Sequence, residues 1–250
     1  IVQRFIGNIG RLQPSKINQI VFVHSYIKPK ELYRLQVALG QLPNPYPPNV
    51  KIKIFPINKV LREKIKFKAE STAFETLLQK EIRSLLPSVY VEGYQDMAQR
   101  SLDSFPKRPK VIYTTNALYE NEGFKFWAAW HIKQGAKLVT SQHGGHYGML
   151  KWSAQEMHEI KVADRHFTWG WENNDNPRSV PMPSGQLLSK TKNIKPDPNG
   201  IILWVGMCIP RYFYCLYSIP IGPQFTGYLM DQKKFAEGVS SDVRYLLMYR

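Results

Sequence analysis

Cysteine is nearly missing from this chain. Its 250 residues contain two, Cys208 and Cys215, with six positions between them. That excludes a disulfide framework, and no Cys-x-x-Cys metal or redox motif is present. A reducing, cytoplasmic setting is the economical expectation. Acidic residues are scarce too: 19 Asp and Glu stand against 34 Lys and Arg, a formal net charge of +15. Such a balance favours anionic partners, among them nucleic acid, phospholipid surfaces, nucleotide sugars and acidic polymers. No apolar run approaches the length of a transmembrane helix. A secretory signal is missing, and the opening Ile1-Val2-Gln3-Arg4 has no initiator Met. With its close in mid-pattern at Tyr249-Arg250, the chain is expected to be a piece of a longer product. Neither a Gly-x-Gly-x-x-Gly after the first strand nor a Walker loop occurs, so the usual dinucleotide and NTPase sites lack support. Internal repeats and low-complexity tracts are absent as well.

What is present suffices for a core: 43% of the residues are hydrophobic and 21% charged. Residues 17–23 read as a buried strand. Pro29 opens a helix that Gly40 closes, the usual asymmetry of Pro inside the start and Gly past the end. Residues 42–50 hold four prolines and form a loop. Residues 50–55 (Val-Lys-Ile-Lys-Ile-Phe) alternate with period two and predict a strand with one wet face. Seven Lys or Arg face one Glu over residues 51–68, either an anion-facing patch or a solvated face. Aromatic residues are not interleaved there as base stacking requires, so nucleic acid is not an expected partner. Thr72-Ala73-Phe74-Glu75 is a capping box for a helix that stops at Pro87. Further helices are predicted over residues 90–102, 122–134, 154–162 (behind a second box, Ser153 to Glu156) and 228–250. Further strands are predicted at 111–114, 138–140, 165–169 and 201–205. The alternation means an α/β fold with a mainly parallel sheet. The domain division expected is 1–176, a Pro-rich linker 177–199, and 200–250.

Chemistry concentrates in Gln142-His143-Gly144-Gly145-His146-Tyr147-Gly148, directly after a predicted strand. Polar groups on such loops lie where open α/β sheets bind ligands, and glycine lets a ligand approach the backbone. A metal site is disfavoured, because His143 and His146 have no Cys or carboxylate nearby and the next acid is Glu156. His158 with Glu159 reads as a helix-surface pair. An α/β-hydrolase would need a nucleophile elbow. The nearest candidate, Gly206-Met207-Cys208-Ile209-Pro210, ends in Pro, and no His follows His166 to complete a triad. Group transfer from an activated phosphate donor fits better: His143 or His146 as general base, with backbone N–H groups and cations for developing phosphate charge. A non-catalytic binder of anionic polymers or a membrane surface, built on residues 51–68, stays open as the rival.

Several separated stretches carry a resemblance: Pro109 to Ala117, Asn121 to Trp127, Gln142 to Gly148, Asp164 to Trp171, and Pro210-Arg211-Tyr212. Together they resemble a family of bacterial transferases of surface carbohydrate biosynthesis. More distantly, Gln142-His143-Gly144 is similar to the Gln-His-Gly signature of capsule-type sugar transferases and to the His-Gly element of polyol-phosphate polymerases. The likeness runs from about Leu86 onward. It implies a GT-B-like architecture of two Rossmann-like domains, acceptor side first, with only the start of the donor-side domain in this chain. It also implies a nucleotide-sugar donor with no separate cofactor, and a polysaccharide or lipid-linked acceptor, with peripheral contact at the inner face of the membrane. On that basis His143 and His146 are the expected catalytic residues. Gln142, Gly144 and Gly145 would shape the loop and Tyr147 would stack on a sugar. Glu122 and Arg211 are weaker candidates for acceptor and donor phosphate, as a first-turn acid and a surface residue explain them better.

Overall fold

A computed structural model describes residues 19–44, 50–67, 72–172, 176–188, 190, 194–207 and 222–250. The chain divides into two compact units, 1–192 and 193–250. In the first, strands β1 (Ile20–Val23), β2 (Val111–Thr114), β3 (Lys137–Ser141), β4 (Arg165–Thr168) and β5 (Ser179–Pro181) alternate with helices α1 (Pro29–Ala38), α2 (Ala73–Leu85), α3 (Tyr94–Ser104), α4 (Glu122–Lys133) and α5 (Ala154–Val162). In the second, β6 (Ile202–Trp204), α6 (Pro223–Gly238) and β7 (Leu247–Tyr249) follow.

The first unit is a five-stranded, wholly parallel sheet with its strands side by side in chain order. Register puts Val21, Ile112 and Leu138 in line, so period-two alternation sends them to one face together with Val23, Thr114, Thr140 and His166. Helix α4 covers that face with Phe124, Trp127 and Ala128, which join the strand residues in the core. Burying side chains such as Phe124 and Trp127 completely stabilises by about 1.5–3 kcal/mol each. Asn121 caps α4 by accepting from Phe124 N, and Gly135 ends it at φ 99°, a conformation that glycine alone adopts cheaply.

Where sequence and structure part, packing is the reason. Residues 50–55 form no strand. Val50 sits against Gly123 and Phe55 against Gly93, at places where a Cβ would come within 2.5 Å. Helix backbones thus anchor the segment's two ends, while Ile54 between them is 94% exposed. The helix expected from residue 90 starts at Tyr94, behind a 3-10 turn at Ser88–Tyr90. The Pro-rich stretch taken for a linker contributes the edge strand β5, and Pro181 is tolerated there because an outer edge needs no N–H. The helix expected to fill residues 228–250 runs from Pro223 to Gly238; a turn at Ser241–Arg244 follows, and β7 then pairs parallel to β6. The described residues of the second unit therefore make a β–α–β arrangement, in which Trp204 meets Phe235 and Tyr249 edge-on.

The basic stretch is not one patch. Arg62 is buried, and its guanidinium donates to Glu92 Oε1 (2.7 Å) and Oε2 (3.0 Å) and to the carbonyls of Arg83, Ser84 and Leu86. Lys53 pairs with Asp96 at 3.0 Å. Among the described residues no helix is long and apolar enough to cross a membrane.

Candidate active site

The loop after β3 is held from both sides. Gln142 N extends the ladder by donating to Phe167 O at 2.8 Å. Its side-chain oxygen accepts from Trp169 N (2.8 Å) and Trp171 Nε1 (2.9 Å), and its amide nitrogen donates to Gly144 O (2.8 Å). Gln142 thus fastens the loop to the end of β4 and is unavailable to a ligand. Gly148 turns the chain at φ 70°, against the Trp171 indole, where a Cβ would lie 2.9 Å away. Its N–H donates to Glu156 Oε2 at 3.0 Å. Glu156 therefore pins the loop, while Ser153 caps α5 by accepting from Glu156 N. Of the capping box expected there, the Ser153 half is in place.

Tyr147 is 1% exposed and stacks on His166, with ring centroids 5.8 Å apart. The stacking role toward a sugar is closed to a ring so buried. Its hydroxyl lies 2.7 Å from His143 Nε2 and 3.0 Å from Glu159 Oε2. Glu159, expected on the surface, is 0% exposed. Its other oxygen is 3.4 Å from His143 Nε2 and makes no hydrogen bond among the described residues. His166, buried below, meets Thr140 Oγ1 at 2.9 Å.

The proton positions follow from the chain of partners. A hydroxyl has one hydrogen, and the buried carboxylate has Tyr147 as its hydrogen-bond donor. Burial first, and then the Glu159 charge, pushes the Tyr147 phenol well above its ordinary 10, so it stays a neutral donor. Tyr147 then accepts from His143, which fixes the proton on Nε2 and leaves the lone pair on Nδ1. Burial first, and then the neighbouring His143, lowers His166 to about 4, which keeps it neutral.

Four rings meet the His143 imidazole edge-on: Tyr147 at 5.2 Å, Tyr119 at 6.0 Å, Tyr26 at 6.2 Å and His146 at 6.4 Å. The imidazole is 14% exposed between them. It is shielded from bulk water but reachable, and Nδ1 makes no hydrogen bond among the described residues.

A family model described as LIC12162 family transferase matches residues 1–250. The chain belongs to the LIC12162 family of transferases. The match takes in the first 80 residues, where the sequence resemblance was thin. No curated protein and no solved structure matches.

In this LIC12162 family transferase the expected site residues divide. Gln142, His143, Gly144, Gly145, His146 and Tyr147 share one loop, with His146 on the rim against Tyr147 at 4.5 Å. Glu122 stands apart: Tyr90 and Lys125 engage its carboxylate, the latter at 2.6 Å. Arg211 and Cys208 lie outside the described residues. Sequence reasoning missed Glu159, Tyr26, Tyr119 and the buried Asn116 amide. A signal for Glu159 did exist: Glu159, Ile160 and Ala163 share the inward face of the α5 segment, so an acid occupies a core position.

Proposed function

We propose that this transferase moves a sugar or sugar-phosphate from a nucleotide-activated donor to a surface-polysaccharide or lipid-linked acceptor, with His143 as general base. The observation that carries the proposal is the Glu159–Tyr147–His143 chain, which leaves Nδ1 of a shielded imidazole as the proton acceptor. In the step, an acceptor hydroxyl oxygen bonds to the transferred carbon or phosphorus. The bond to the nucleotide phosphate breaks, and the hydroxyl proton passes to Nδ1. The departing nucleoside phosphate keeps the electron pair of the broken bond. The +15 charge suits an anionic donor. No cofactor beyond the donor is required. The setting proposed is cytoplasmic, peripheral at the inner membrane face where the acceptor is lipid-linked, and the fold proposed is the acceptor side of a GT-B-like enzyme.

The test is release of nucleoside phosphate by the full-length protein from a panel of nucleotide-activated sugars, with and without saccharide acceptors. Turnover by the wild type and its loss in His143→Ala would support the assignment. Undiminished transfer in His143→Ala would end it. The rival, a binding surface on residues 51–68, loses Arg62 to its buried partner Glu92.

A further inference from the structure

At the carboxyl ends of β1 and β2 a second set of polar groups borders the same imidazole. Asn116, directly after β2, is 7% exposed, and its amide nitrogen donates to Tyr26 Oη at 2.6 Å. Its amide oxygen is buried and has no partner among the described residues. Amide orientation is assigned from such networks. Turned the other way, the amide would accept from Tyr26 and leave its nitrogen unpaired. Either way one polar atom of a buried amide is unsatisfied, at a cost natural cores seldom accept. Tyr26 is held there at a price in backbone conformation: it and His24 adopt φ 56° and 46°, a region that bulky side chains rarely enter. Such strain persists where the surroundings enforce it, and it clusters at ligand sites. Tyr26 is 43% exposed, and its ring and the His143 imidazole stand nearly perpendicular, 6.2 Å apart. Across the loop, a Cβ on Gly145 would meet open space, so sterics do not demand glycine and the approach to the loop is free.

We propose that Asn116 and Tyr26 form the acceptor subsite, taking a polyol or pyranose. One of its hydroxyls hydrogen-bonds the unsatisfied Asn116 amide atom, an apolar ring face lies on Tyr26, and a neighbouring hydroxyl meets His143 Nδ1. The subsite rests on the proposed transfer reaction for its purpose, but it binds an uncharged saccharide without any donor. An aromatic ring face beside a buried amide suits the alternating C–H and O–H surface of a sugar.

The experiment measures binding of glycerol and of methyl glycosides of glucose, galactose, mannose and N-acetylglucosamine to the full-length protein by saturation-transfer NMR and titration. At least one glycoside is expected to bind. Asn116→Leu is expected to weaken it about 10-fold, the loss of one well-made hydrogen bond from a desolvated site. Tyr26→Phe, at an exposed position that leaves folding intact, should weaken it less by freeing the amide from its partner. Removing one probe hydroxyl at a time should find one whose deletion costs affinity in the wild type and costs nothing in Asn116→Leu. Binding by His143→Ala should persist. If no probe binds, or if Asn116→Leu and Tyr26→Phe both bind like the wild type, the subsite is wrong even where His143→Ala abolishes transfer. If the subsite variants lose binding while His143→Ala still transfers, the subsite stands and the proposed base falls.

Discussion

Arg62 and Glu159 are both charged side chains taken almost wholly out of water, yet their surroundings differ. The Arg62 guanidinium spends its donors on Glu92 and three main-chain carbonyls, and Glu92 also accepts from Asn58 N at 2.8 Å. The hydrogen bonds from Arg62, then that from Asn58, draw the Glu92 carboxyl down to about 2. Nothing there is left to offer a ligand. Around Glu159 the count does not close. One of its oxygens, His166 Nε2 and Asn116 Oδ1 are buried without partners among the described residues, and His143 makes its hydrogen bond through Nε2. A satisfied network specifies a fold; an unsatisfied one beside a shielded imidazole calls for another reason, and the proposed transfer supplies it.

That contrast can be broken by substitution. His143→Ala removes the base and should lower transfer about 10²–10⁴-fold while leaving Tm near that of the wild type. Glu159→Gln is the sharper change. Its amide can donate to Tyr147 Oη, which would turn Tyr147 round to donate to His143 Nε2 and move the ring proton to Nδ1. A base held in the wrong tautomer should cost roughly 10²-fold in rate, with little loss in thermal stability because each hydrogen bond of the Glu159–Tyr147–His143 chain keeps a donor and an acceptor. Arg62→Met should do the opposite, lowering Tm more than either site change by leaving Glu92 buried and alone, with catalysis per folded molecule unchanged. Equal stability losses from Glu159→Gln and Arg62→Met would erase the distinction.

Acid separates the two regions as well. The folded protein resists protonating His166 until about pH 4, whereas the unfolded chain takes that proton near the ordinary 6.5. Stability is therefore full above 6.5 and falls as pH drops toward 4, by roughly 3 kcal/mol over the window. His166→Gln, which keeps a polar partner for Thr140, should flatten that limb in urea melts taken across the range. The Glu92 contribution is full above the ordinary carboxylate value of 4.5 and is lost only as pH falls toward 2. Arg62→Met should alter that lower limb and leave the upper one untouched.

What the sequence disclosed depended on how local the cause was. Pro29 and Gly40 around α1, the Thr72–Glu75 box, and the strands at Ile20, Val111, Lys137 and Arg165 are set by neighbours within a few positions, and they fell within a few residues of their expected places. So did the loop bearing His143. The bond from Asn116 to Tyr26 spans 90 positions and the Arg62–Glu92 pair 30, and no local pattern announces either. Strand β5 is short and holds a proline, which only an edge position excuses. Residues 50–55 alternate like a strand yet pair with no strand among the described residues. Glu159 was hidden by its charge: an acid on a helix reads as surface until its neighbours on the same face, Ile160 and Ala163, are seen to be buried.

The central claim is that Glu159, through Tyr147, holds the His143 proton on Nε2 and leaves Nδ1 free to act. Long-range proton–nitrogen correlation spectra of histidine-labelled protein, taken at a pH where the ring is neutral, report the tautomer directly. The wild type should show His143 with Nε2–H and a bare Nδ1, and Glu159→Gln should reverse the two. A wild-type His143 carrying its proton on Nδ1, or the same tautomer in both proteins, would contradict it.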